Sequence, residues 1–174
     1  MSEHETPLGV VMRGAVAGLA GTGVLTVAME QVPKLLEQIG LGPSKRGEGT
    51  GAGGGRNPEQ PVEKLAKKVA EGVFDTRLDR KERKVAGQAI HWSYGASWGV
   101  LYGIMQSTFR LPHLLHGTLL AGLMSLAAAT IVPATKIVPP MSKLPPERSV
   151  LQFVYIALSA WTTALVYGLL SREK

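Results

Sequence analysis

Long uncharged stretches alternate with short charged segments along this chain. A helix needs about 20 mostly apolar residues to cross a hydrocarbon core of about 30 Å. The first stretch, residues 14–29, reaches that length if Arg13 extends its charge to the membrane interface. The pattern therefore predicts four transmembrane helices, at about residues 8–29, 85–109, 114–132 and 149–171.

A water-soluble helical bundle is the main alternative, and it requires a charged face that recurs every 3.6 residues along each helix. None of the four stretches has such a face. Only 18% of the residues are charged, against about 25% in a soluble domain. We therefore predict an all-α fold: an integral membrane four-helix bundle with a long loop that contains short amphipathic helices.

The connection between the first two predicted spans, residues 30–84, is a loop rich in lysine and arginine. Residues 31–41 predict a short amphipathic helix that Pro33 breaks at its start. Residues 42–60 are rich in glycine and predict a flexible linker. We expect the whole chain, residues 1–174, to form a single membrane domain.

A second amphipathic helix is predicted from Pro61 onward. Its aliphatic residues share one face, and Lys64, Lys67 and Lys68 lie on the other. This pattern is typical of a helix that lies on anionic lipid. Packing of the aliphatic face under the bundle, or against a partner, explains it equally well.

The distribution of basic residues predicts the orientation in the membrane. Residues 30–84 hold twelve lysines and arginines, and Lys136, Lys143 and Arg148 add three, whereas the opposite face holds four. Basic residues near the ends of spans remain in the cytoplasm. We expect a bacterial cytoplasmic (inner) membrane protein with a retained first span, a cytoplasmic loop at 30–84 and both termini outside.

Small residues recur every four positions within the predicted spans. Close backbone approach through such residues drives helix association in lipid. We expect helix packing through them, with the second span at the centre of the bundle. The packing residues are Gly14 and Gly18 in the first span, Gly87, Gly95, Gly99 and Gly103 in the second, and Gly117 and Ala121 in the third.

Four polar residues are predicted near the cytoplasmic side of the spans: Glu30, Gln88, His91 and Gln152. If they converge, Glu30 and His91 could carry a titratable proton, because imidazole changes charge near neutral pH. Alternatively, His91 donates one hydrogen bond to a neighbouring helix and Glu30 faces water.

A second polar group is predicted at the outer side, from Arg13, Gln106, His113 and His116. The two histidines are three residues apart and share a helix face, as the ligands of a metal or the residues beside a haem would. They lack a carboxylate partner, and Pro112 places His113 at the surface. They remain weak metal candidates, and we predict no metal and no resident cofactor.

The sequence contains no set of residues typical of catalysis. Without cysteine, thiol chemistry and disulfides are excluded. Residues 49–54 match a dinucleotide-binding glycine pattern, but they follow no predicted strand. The charges of the loop, twelve basic against nine acidic, are too balanced for nucleic-acid binding. We predict that the protein is not an enzyme and has no nucleic-acid partner.

Several short motifs resemble those of a known family. They are the sequence HWSYG at 91–95, LYG at 101–103, a turn with Pro112, a third span with Gly117 and Gly122, and the proline pairs 139–140 and 145–146. Over roughly residues 85–170 the chain resembles the YagU-type family of bacterial inner-membrane proteins. The resemblance implies several spans and no established biochemical activity, and it transfers no catalytic residue.

Three roles agree with these features. The first is a non-catalytic accessory or organising subunit, whose partners are the lipid bilayer and either another membrane protein or a second copy. The second is a small membrane protein that conducts protons or a solute through Glu30, His91 and Gln152. The third is a membrane subunit that binds haem or a pigment through His91, His113 or His116.

Overall fold

A computed structural model describes residues 6–40, 61–73, 79–109, 111–134 and 146–172. These residues form five α-helices, and the described ranges contain no strand, which confirms the all-α prediction. The helices are α1 (Pro7–Gln38), α2 (Pro61–Val73), α3 (Arg80–Phe109), α4 (His113–Ala134) and α5 (Pro146–Arg172).

Three of the helices are long and apolar enough to cross a membrane, by length and composition. They are α1, the part of α4 from His113 to Thr130, and the part of α5 from Ser149 to Arg172. These three helices indicate a membrane protein. The second predicted span lies in α3, which has 30 residues but is not among the three. Helix α3 is less apolar because it contains four glycines and polar residues such as Gln88 and His91.

The start of α1 is fixed by local chemistry. The Thr6 hydroxyl accepts a hydrogen bond of 3.2 Å from the backbone N–H of Gly9, and Pro7 occupies the first helical position. Both are favoured at helix starts, where backbone N–H groups lack partners within the helix.

At its other end, α1 differs from the prediction. The sequence predicted a span to residue 29 and a separate helix over 31–41, but α1 continues through Pro33 to Gln38. The prediction was wrong because a proline, which removes one hydrogen bond and crowds the carbonyl four residues earlier, can kink a helix without ending it, and α1 is helical on both sides of Pro33. Gly40 then adopts φ 75°, a left-handed conformation in which glycine meets no steric penalty.

The predicted loop over residues 30–84 is therefore helical in much of its described part. Its first residues belong to α1, and α3 begins at Arg80 rather than at residue 85. The Glu82 carboxylate accepts a hydrogen bond of 2.7 Å from the Asp79 N–H and caps the start of α3. The glycine-rich linker at 42–60 lies outside the described residues.

The four long helices pack side by side. Helix α1 lies against α3 and α5, α4 packs on α5, and α3 also contacts α4 and α5. Their common core includes large side chains such as Tyr102, Leu120 and Tyr167, together with the small residues Ala17 and Ala160. Helix α2 packs against α3.

The outward faces of the long helices carry most of the large apolar side chains. Polar or small residues lie inside, including Thr22, His116, Ser159 and Thr163. The hydroxyls of Thr22 and Thr163 donate to carbonyls one turn earlier, at 2.8 and 2.9 Å, so they need no water. Examples of the exposed apolar residues are Val16, Val27, Leu101, Ile104, Leu115, Leu119, Leu126, Phe153, Leu165 and Leu169.

Candidate functional site

The backbones of α1 and α3 touch at four buried glycines. A Cβ atom added at Gly14 would lie 2.5 Å from the Gly99 carbonyl oxygen, and one at Gly18 would lie 2.9 Å from the Gly99 Cα. A Cβ at Gly95 would collide with the Thr22 hydroxyl. We call Gly14, Gly18, Gly95 and Gly99 the glycine crossing.

Contacts beyond the glycine crossing show that the two helices are antiparallel. Gly103, near the end of α3, lies against Val10 near the start of α1: a Cβ at Gly103 would be 2.9 Å from the Val10 carbonyl oxygen. At the other end, His91 of α3 meets Thr26 of α1. Gly87 is also buried. Of the small residues predicted on α1 and α3, Gly14, Gly18, Gly95, Gly99 and Gly103 thus lie along one interface.

Small residues also allow α5 to pack closely against its neighbours. A Cβ at Gly117 of α4 would lie 3.0 Å from Trp161 Cδ1 and 3.1 Å from Ala164 Cβ. Gly21 of α1 faces the Ser159 carbonyl oxygen of α5, which a Cβ there would approach to 2.6 Å. Ala121 is half-buried.

The inner polar residues do not all converge. The His91 Nε2 atom lies 3.2 Å from the Thr26 hydroxyl oxygen. That hydroxyl already donates its single proton to the Thr22 carbonyl, at 2.9 Å, so His91 is the donor to Thr26. Glu30 and Gln88 are exposed. The structure therefore joins His91 to a threonine on the neighbouring helix, as in the second interpretation of this group.

Gln152, the fourth residue of that group, is half-buried on α5. Thr26 is not among the polar residues predicted for this group. Its role as the partner of His91 depends on the register between α1 and α3. The glycine crossing sets that register, and the spacing of polar residues in the sequence does not predict it.

The outer polar residues form a buried cluster between three helices. The Tyr102 hydroxyl lies 3.0 Å from His113 Nδ1. The Tyr102 ring meets the rings of His116 and Tyr167 edge to face, with centroids 6.0 and 5.4 Å apart. Tyr102 and His116 are both 0% exposed. With Gln106, these residues make up what we call the outer cluster.

Hydrogen bonds around Gln106 determine which nitrogen of His116 carries the proton. The Gln106 amide nitrogen donates to the Leu111 carbonyl at 3.0 Å, so its oxygen is the atom that faces His116 Nδ1. Because that oxygen can only accept, Nδ1 is the donor and Nε2 has a free lone pair. The Nε2 atom is buried and has no hydrogen-bond partner among the described residues.

The position of His113 differs from the prediction that it lies at the surface. It is half-buried and bonds to Tyr102, and its Nε2 faces Gly168 of α5, where an added Cβ would be 3.2 Å away. The prediction was wrong because the ring turns inward although Pro112 is exposed. Arg13, the other member predicted for this group, is half-buried on α1.

The outer cluster joins α3 to α4 through two hydrogen bonds, one between Tyr102 and His113 and one that His116 donates to Gln106. Each histidine thus uses one ring nitrogen for a bond between helices. Within the described ranges, no group of three or more His, Cys, Asp or Glu residues is placed to hold a metal ion. The contribution of Tyr167 was missed because no motif marks it.

Two alanines on the aliphatic face of α2 are buried. Ala66 and Ala70 are 3% and 8% exposed, and α2 packs against α3. Of the predicted lipid-facing lysines, Lys68 is exposed and Lys67 is half-buried, while the side chain of Lys64 lies outside the described part. Of the two interpretations of this helix, the structure favours packing under the bundle over an aliphatic face lying on lipid.

Three comparisons with known proteins find no relative. No family model matches the chain, no curated protein matches it, and no solved structure matches it. The resemblance to the YagU-type family therefore stays a prediction, and the functional conclusions below depend on the geometry of this chain alone.

Proposed function

We propose that this chain is an integral protein of a bacterial cytoplasmic membrane, in which α1, α3, α4 and α5 all cross the bilayer and serve a non-catalytic, organising role. The observation that carries the proposal is the distribution of side chains: most large apolar residues point outward, and glycine, threonine, serine and histidine lie between the helices. Water-soluble proteins avoid apolar surfaces of this extent, whereas lipid requires them.

Contacts between α3 and the neighbouring helices support the inclusion of α3 among the proposed spans. His91 bonds to Thr26 of α1, and Tyr102 and Gln106 bond to histidines of α4. A polar side chain that is satisfied within the protein costs much less in hydrocarbon than an unsatisfied one. Leu101 and Ile104 are exposed on its outward side. Helix α3 therefore crosses the bilayer because it packs against the other long helices, and not because of its own hydropathy.

The organising role follows from how the small residues are used. The glycine crossing is occupied within the protein, since Gly18 and Gly99 are each other's neighbours. Contacts with other membrane proteins, or with a second copy, therefore fall to the apolar outward faces. The protein would act as a rigid membrane body against which a larger complex packs.

The absence of cysteine makes the orientation directly testable, because a single introduced cysteine is the sole thiol. We expect an impermeant maleimide added to intact cells to label Leu111→Cys, in the turn between α3 and α4, but not Glu71→Cys on α2. Glu71→Cys should react once the inner membrane is opened. Labelling of both positions in intact cells would contradict the proposed topology.

The organising role has its own test, the native mass of the protein extracted in mild detergent. We expect a particle that contains more than one 18.5 kDa chain or a second membrane protein. A particle with a single chain at every detergent concentration would overturn the organising role and leave the membrane topology standing.

One observation supports each of two alternative functions. Conduction of protons or a solute is supported by the hydrogen bond between His91 and Thr26 at the interface of α1 and α3. Unchanged proton flux into liposomes with His91→Ala would eliminate this alternative. For a haem or pigment subunit it is the free lone pair of His116 Nε2. A colourless protein, purified from the native membrane without harsh detergent, would eliminate that one.

A further inference from the structure

Basic side chains are concentrated where α3 enters its apolar part. Lys81 and Lys84 are exposed, and Arg83 is half-buried. The next residue, Val85, is 71% exposed and begins the uncharged stretch. One helical turn rises about 5.4 Å, so these charges lie within about one turn of the apolar surface. If α3 spans the bilayer as proposed above, that is the depth of the lipid phosphates.

The Glu82 carboxylate of this segment has a structural task at the start of α3. Glu82 accepts a hydrogen bond from the Asp79 N–H at 2.7 Å and so caps the helix. The Asp79 carbonyl accepts from the Arg83 N–H at 2.9 Å and starts the first turn. A carboxylate at a helix start interacts favourably with the positive end of the helix dipole. The two lysines face outward from this capped turn.

Helix α2 brings further basic residues to α3. It packs against α3, and five residues of the sequence separate its last residue, Val73, from Asp79. Ala66 and Ala70 of α2 are buried, whereas Lys67 on the same helix is half-buried and Lys68 is exposed. Insertion of an aliphatic face into lipid, which the sequence allowed for α2, is not needed here.

We propose that Lys81 and Lys84, with α2 beside them, form a binding site for the headgroups of anionic phospholipids in the cytoplasmic leaflet. This inference depends on the membrane integration proposed above and names the lipid partner of that arrangement. Each basic residue next to a span strengthens attraction to an anionic leaflet by roughly five-fold. The site therefore selects lipid by charge, and a zwitterionic headgroup fits it poorly.

The test uses the full chain reconstituted in vesicles of equal parts phosphatidylglycerol and phosphatidylcholine, then extracted in mild detergent. The readout is the ratio of the two lipids retained, measured by mass spectrometry. We expect enrichment of phosphatidylglycerol with the wild-type chain, at least about a five-fold loss of enrichment with Lys81→Gln/Lys84→Gln, and full enrichment with Lys81→Arg/Lys84→Arg. Arg172→Gln, an exposed charge at the other end of the protein, should change nothing.

Flotation of the vesicles separates the possible failures. If the chain floats but retains both lipids equally, or if the glutamine variant keeps wild-type enrichment, the lipid site is overturned and the membrane topology is not. A chain that fails to float with the vesicles overturns both proposals.

Discussion

Gly18 of α1 and Gly99 of α3 are in direct backbone contact. A Cβ on Gly99 would lie 2.5 Å from the Gly18 Cα, and one on Gly18 would lie 2.9 Å from the Gly99 Cα. In lipid, where burial of apolar surface brings no gain, such contacts are the main source of helix association. They hold α3, the least apolar of the long helices, against α1.

Gly99→Ala should separate α1 from α3. The new methyl group would approach backbone atoms, which cannot turn aside as a side chain can, so we expect a loss of about 1–3 kcal/mol in the free energy of unfolding. Titration with denaturing detergent in mixed micelles measures this value. Gly122→Ala is the matched control, since a Cβ at that position would meet no atom within 4 Å other than those of its own stretch of helix. Equal stability of the two variants would show that the glycine crossing is not formed.

Gly95 and Thr22 should show coupled energetics. A Cβ at Gly95 would lie 2.8 Å from the Thr22 Cβ and would collide with its hydroxyl. Thr22→Gly removes both obstacles, so it should partly rescue Gly95→Ala, with a coupling of about 1 kcal/mol or more in a double-mutant cycle. Simple additivity would mean that the two positions are not in contact. Gly122→Ala combined with Thr22→Gly should be additive.

Gln106→Leu should weaken the outer cluster. It leaves the buried Nδ1–H of His116 without its acceptor, which costs about 1–3 kcal/mol of unfolding free energy. Gln88→Leu removes the same group from an exposed position on the same helix and should cost little. Adding His116→Leu to Gln106→Leu should recover part of the loss; a further loss from the double variant would count against this hydrogen bond.

Ala70→Leu distinguishes the two environments considered for α2. Against α3, where Ala70 is almost completely buried, the larger side chain should push the helix away. On a lipid surface it would strengthen binding instead. Spin labels at the exposed positions Glu71 and Val85 should give a narrow distance distribution in the parent chain and a broader, longer one in the variant. An unchanged distribution would exclude the packing described here.

The helices could be predicted from the sequence because absent charges leave a strong signal over 20 residues or more. The residues at which the helices end, and which helices pack against each other, could not be predicted. The local rule that proline ends a helix fails at Pro33, where α1 is helical on both sides of the proline. The amphipathic pattern of α2 shows that one face must be covered, and it is equally compatible with lipid and with α3 as the covering surface.

The polar site shows a similar limit. Sequence spacing assigned His91 to one polar group and His113 and His116 to another, but it did not identify their partners. His91 bonds to Thr26 because of the register between α1 and α3, and His113 turns toward Tyr102 because of a side-chain rotation. Neither property is encoded in a short motif, whereas the small residues at Gly14, Gly18, Gly95 and Gly99 were predicted as packing positions from spacing alone.

Collision accessibility of a spin label at position 126 tests the central claim most directly. Leu126 is 61% exposed on α4, and Leu126→Cys would be the single cysteine of the chain. In liposomes we expect frequent collisions with oxygen and rare collisions with a water-soluble nickel chelate, because the outward face lies in hydrocarbon. Frequent collisions with the nickel chelate and few with oxygen would place that face in water and contradict the account.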